Sequence, residues 1–74
     1  MANLLVSDHV YEVVEIVGTS RTSIEDAIQS AIAKASKTVR DLKWFEVVQS
    51  RGQIEDGKVA LYQVILKVGF TLQG

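Results

Sequence analysis

Residues 43–72 read KWFEVVQSRGQIEDGKVALYQVILKVGFTL. At the middle of this stretch stands Asp56-Gly57, a two-residue hairpin turn signal flanked on both sides by strand-like sequence. The reading is a long β-hairpin with arms over residues 43–54 and 58–72. With Asp56 and Gly57 as the loop, Glu55 faces Lys58, Phe45 faces Val68, Val47 faces Leu66, Gln49 faces Val64 and Arg51 faces Tyr62. Side chains alternate between faces with a period of two. One face then shows Phe45, Val47, Tyr62, Val64, Leu66, Val68, Phe70 and Leu72, which is nearly all apolar and expects a helix as its cover.

Upstream lies that helix. Ile24, Ala27, Ile28, Ala31, Ile32, Ala35 and Val39 recur at spacings of three and four, one apolar helical face. Thr22-Ser23-Ile24-Glu25 fits a capping box with Thr22 as N-cap. Glu25 and Asp26 near the start, and Lys34, Lys37 and Arg40 near the end, suit the helix dipole. Alanines at 27, 31 and 35 allow close approach to a sheet. Before the helix, residues 10–17 are rich in β-branched side chains and stop at Gly18, which reads as a strand. Residues 1–9 read as a frayed polar leader containing His9, and residues 10–72 as one domain. The expected class is α+β: a β-α-β-β subunit whose three-stranded antiparallel sheet wraps one helix.

The second sheet face has no helix left to cover it. It shows Trp44, Glu46, Val48, Ser50, Leu61, Gln63, Ile65 and Lys67, a half-apolar surface too large to leave in water without a purpose. A chain of 74 residues buries only about 60% of its unfolded surface, and small scaffolds compensate with disulfides, metals or association. There is no cysteine and a single histidine, so no thiolate or paired-imidazole metal site is expected. Association with further copies is what remains. A net charge of −1 argues against a nucleic-acid binder, which would be basic. No apolar run reaches the roughly 20 residues of a membrane span, and a cytoplasmic location is the default. No nucleophile–base pair or Gly-rich phosphate loop occurs, and Glu12 and Glu15 point to opposite sides of their strand, so no catalytic residues are expected.

The ordered set Val17-Gly18-Thr19-Ser20, the helix with Ala27-Ile28 and Ala31, Trp44-Phe45-Glu46-Val47, Arg51-Gly52, Tyr62-Gln63-Val64 and Lys67-Val68-Gly69-Phe70 resembles the dodecins from residue 9 to residue 72. The resemblance implies a closed shell of twelve subunits that stores flavin, riboflavin or FMN, in stacked pairs between tryptophans and protects it from light, without catalysis. The alternative is a structural shell that binds coenzyme A or another partner. Trp44 matches the stacking tryptophan. Gln63 matches a glutamine whose amide meets the polar edge of the isoalloxazine. Arg51 matches a position near the phosphate-bearing tail of the ligand. On the simple hairpin register Arg51 faces away from Gln63, so either the strand bulges between them or Arg51 serves something else. Thr71 stands where bacterial relatives often carry arginine, which weakens the case for phosphate or coenzyme A binding there.

Overall fold

The computed structural model describes residues 10–72; the leader expected over residues 1–9, His9 included, lies outside them. Strand β1 is Tyr11–Ser20, helix α1 is Ile24–Ala35, β2 is Leu42–Glu55 and β3 is Lys58–Thr71. All pairings are antiparallel and the strand order is β1-β3-β2. The β-α-β-β architecture read from the sequence is therefore the observed one, with β3 as the central strand.

The loop from β1 to α1 is organised by one hydroxyl. Buried Ser20 donates to Asp26 Oδ2 (2.7 Å) and accepts from the backbone N–H groups of Thr22 (2.8 Å) and Ser23 (3.3 Å). With the Thr22 amide held by Ser20, the helix begins one residue later than the capping-box pattern suggests. Ser23 is the N-cap, accepting from the Asp26 amide at 2.9 Å. The helix also ends earlier than its apolar spacing implies. It closes at Ser36, whose N–H returns to Ile32 (2.9 Å), and Val39 lies in the connection that follows. Asp41, at φ 61°, turns that connection into β2; short polar side chains tolerate this left-handed conformation.

Helix and sheet approach closely at one point. A Cβ on Gly18 would overlap the carbonyl oxygen of Ala27 and the Cβ of Ala31. Small residues on both elements thus bring the helix down onto β1. The core beneath it is Ala27, Ala31, Val64, Leu66 and Val68, flanked by Val14, Ile16, Ile24, Ile28, Ile32 and Leu42.

The hairpin turn is as read: Asp56 (φ 53°) and Gly57 (φ 74°) form the loop and Glu55 pairs with Lys58. Two expectations about the hairpin need correction. First, the helix covers β1 and β3 but leaves β2 open beyond Leu42. Twelve helical residues span about 18 Å, whereas fourteen strand residues span about 46 Å. The helix is tethered to β1 by a short loop, and β3 separates β1 from β2. Phe45 and Val47, expected beneath the helix, remain 47% and 41% exposed.

Second, the register is not uniform. Trp44–Val47 pair with Gly69–Leu66 as the simple count demands, but Val48 bulges, so Gln49 pairs with Ile65, Ser50 with Val64, Arg51 with Gln63 and Gln53 with Leu61. A compensating irregularity between Gln53 and Ile54 restores the original count at the turn. An extra residue in one strand inverts the facing of everything beyond it. Arg51 thereby leaves the Tyr62 rung and joins Gln63, whereas Ser50 moves to the helix side.

Candidate functional site

The sheet face away from the helix is built from alternate residues of all three strands. The pairings place Tyr11, Val13, Glu15, Val17 and Thr19 of β1 beside Thr71, Gly69, Lys67, Ile65 and Gln63 of β3. Trp44, Glu46, Gln49 and Arg51 of β2 complete it. Val13, Val17 and Trp44 are large apolar side chains exposed on this face. It is half apolar, as the sequence foretold, but Gln49 and Arg51 hold the β2 positions where Val48 and Ser50 were expected.

Trp44 marks one end. Its partner across the ladder is Gly69, and the Nε1–Cε2–Cζ2 side of the indole lies so close over Gly69 that a Cβ there would overlap it. Tyr11 meets the indole from the far strand in an edge-to-face contact, with ring centroids 6.3 Å apart and planes at 66°. The indole is thus laid across β3 toward β1, still 41% exposed. Sequence reasoning gave no role to Tyr11 or Gly69. A glycine inside an otherwise β-branched strand was the available signal, since it often marks a close approach by another group.

Gln63 marks the other end and lies beside Arg51. Arg51 Nε donates to Gln63 Oε1 at 2.7 Å. Gln63 and Gly69 lie six positions apart on β3, about 20 Å along the strand. The three residues singled out from the sequence therefore form two clusters: Arg51 with Gln63, and Trp44 with Tyr11 and Gly69. Within one chain no single aromatic ring can touch both.

Thr71 pairs with Tyr11, so it belongs to the Trp44 end. It lines a shallow hollow with Arg40, Asp41, Phe70 and Leu72. Where the hairpin outruns α1, an open hollow of about 290 Å³ lies among Ile24, Ser50, Arg51, Gly52, Gln53, Ile54, Val59 and Tyr62. Among the described residues, no group of three or more His, Cys, Asp or Glu converges to hold a metal ion. No helix of the described chain is long and apolar enough to cross a membrane.

A three-stranded antiparallel sheet in β-α-β-β order, with a helix over β1 and β3 on one face and an open face that ends in an aromatic cluster, defines a class of small α+β subunit. The family model for Dodecin matches residues 10–73, and the chain belongs to the dodecin family, whose members form oligomers. It is 55% identical over 64 residues to the dodecin of Thermus thermophilus, covering 86% of this chain and 93% of that protein. The solved dodecin of Streptomyces coelicolor superposes with a TM-score of 0.85 at 54% identity, covering 92% of this chain and 97% of that one. A more distant relative, the calcium dodecin of Mycobacterium tuberculosis, is 31% identical over 64 residues, covering 86% of this chain and 90% of its own length. The crystal structure of that relative, described as calcium chelating with a novel calcium-binding site, superposes with a TM-score of 0.74.

Proposed function

We propose that the protein is a flavin-storage protein: a closed shell of twelve copies that holds riboflavin or FMN in stacked pairs between Trp44 side chains and turns nothing over. The observation that carries this reading is the placement of Trp44. An indole laid over Gly69 and held by Tyr11, yet 41% exposed, is an aromatic surface prepared for a flat partner. Offset stacking of aromatic faces contributes about 0.5–1.5 kcal/mol per pair beyond the area buried.

The polar edge of the isoalloxazine needs a hydrogen-bonding group in the ring plane, and an amide supplies one. Gln63 is that group. Because Gln63 and Trp44 of one chain lie about 20 Å apart, they serve the same flavin only from different chains. A site divided between subunits accounts for why the outer face is half apolar and carries ligand-type residues at its two ends. Stacked indole also supplies a chemical purpose. It donates an electron to the excited flavin and takes it back, which returns the flavin to its ground state before bond-breaking chemistry. Flavins packed in pairs between two indoles leave no ring face for a substrate, and for this reason the protein is read as a binder and not an enzyme.

The test is direct. Purified protein is denatured and the released chromophore identified, and stripped protein is titrated into riboflavin, FMN and lumichrome. The expected result is a released flavin and strong fluorescence quenching. Release of no flavin, together with unquenched fluorescence at micromolar stripped protein, sinks the reading.

A further inference from the structure

Gln63 is an ambivalent side chain. Its amide carries an acceptor at one corner and two donors at the other, and either can face a ligand. The bulge at Val48 removes that ambivalence. It brings Arg51 onto the Gln63 rung, where Arg51 Nε donates to Gln63 Oε1 at 2.7 Å. A guanidinium never gives up its proton and has no acceptor, so it bonds only the oxygen corner of the amide. The amide is planar, so a contact that selects its oxygen corner also fixes its flip state and the corner from which Nε2 donates. A cationic donor on the oxygen also polarises the amide and makes its N–H groups stronger donors.

We infer that Arg51 is a positioning residue for the ligand ring: it locks the Gln63 amide so that the site presents an N–H donor and selects ligands with a carbonyl acceptor at the matching edge. This rests on the reading that Gln63 meets a flavin ring edge, and it gives Arg51 a task different from gripping a phosphate. The two tasks separate cleanly by ligand. A phosphate grip affects FMN alone. An amide lock affects every ligand that shares the ring, including lumiflavin, which has no tail.

The experiment is a double-mutant cycle on the full-length assembled protein, read by quenching titrations with lumiflavin, riboflavin and FMN. The variants are Arg51→Ala, Arg51→Lys, Gln63→Ala and Arg51→Ala with Gln63→Ala, each checked for unchanged circular dichroism and sedimentation. Arg51→Ala is expected to weaken all three ligands by a common factor of about three to ten, the span of one ordinary hydrogen bond. Arg51→Lys, which keeps a cationic donor, is expected to recover part of the loss. In the Gln63→Ala background, Arg51→Ala is expected to leave lumiflavin binding unchanged, since there is no amide left to orient. Loss of FMN binding alone in Arg51→Ala overturns the proposal in favour of a phosphate grip. So does a Gln63-independent loss of lumiflavin binding, which would show that Arg51 touches the ring itself. If Arg51→Ala assembles poorly, the same comparison of three ligands in Arg51→Lys decides between lock and grip. Failure of the unmodified protein to bind any of the three ligands refutes the flavin reading itself, and no pattern among the variants produces that outcome.

Discussion

Trp44 touches Tyr11 and Gly69 but anchors no core. Trp44→Ala is therefore expected to leave the assembly intact and to lower flavin affinity by about 1–3 kcal/mol, the usual loss for an aromatic platform under a flat ring. Sedimentation and quenching titrations on the same sample check both halves, and unchanged affinity contradicts the sandwich. Gly69→Ala is the companion test, because it keeps the indole and displaces it. The new methyl group cannot coexist with the indole where it lies, so affinity is expected to fall although the tryptophan remains. The phosphate question also belongs here. Arg51 already donates one N–H to Gln63, and Thr71 offers a hydroxyl in place of a charge. Arg40 shares the hollow of Thr71, but Asp41 lines it too and offsets part of the attraction. FMN is expected to exceed riboflavin in affinity by less than about tenfold, below a single charge-assisted contact at its strongest. Thr71→Arg is expected to raise FMN affinity selectively, with an advantage that shrinks as salt rises. A large, salt-sensitive FMN preference in the unmodified protein refutes the weak-phosphate view.

Elements explain why some of this was legible in the sequence and some was not. The strands, the Asp56-Gly57 turn and the alanine face of α1 announce themselves through composition and period, because local backbone preference and burial agree there. The Val48 bulge does not. Val47 and Val48 are adjacent apolar residues, so either can be assigned inward and the alternation carries no mark of an extra residue. The face of Arg51 depends on this bulge and on the second irregularity between Gln53 and Ile54, neither of which the alternation marks, so its link to Gln63 is visible only in the pairing. Helix coverage is illegible for a different reason: period gives the apolar face of a strand, whereas strand order decides which strand lies under the helix. Deleting Val48 leaves Val47 opposite Leu66 and Gln49 opposite Ile65, so Arg51 is expected to stay on the Gln63 rung and flavin binding to be retained; a large loss of affinity argues that the bulge does more than set the register. Gly18→Ala tests the other element contact. Overpacking against Ala27 and Ala31 is expected to cost about 1–3 kcal/mol of stability, measured as a lower denaturant midpoint, and an unshifted midpoint means the helix rides higher than described.

For the whole molecule, the core is small: five hydrophobic residues are buried among those described, while Trp44, Phe45, Val47, Val48 and Ile54 of β2 all remain exposed, Ile54 at 75%. A subunit that leaves both faces of a fourteen-residue hairpin arm open is not expected to persist alone. Sedimentation at micromolar protein is expected to show only a closed oligomer, and a well-folded monomer contradicts the proposed assembly. Ligand that bridges chains stabilises the assembly by mass action, so added flavin is expected to raise the melting temperature, and less so in Trp44→Ala. The position of β2 at the end of the order β1-β3-β2 has a further consequence in the living cell. Fourteen residues of strand have a partner on one side alone within the subunit, and an unpaired strand edge is a template for any other extended chain. Each newly made copy therefore runs a race between joining its siblings and joining strangers. The kink at Val48 blunts that edge by breaking its straight run. On the proposed assembly, chains that are slow to meet one another keep this edge open longest and are expected to be the ones most readily cut by proteases or held by chaperones.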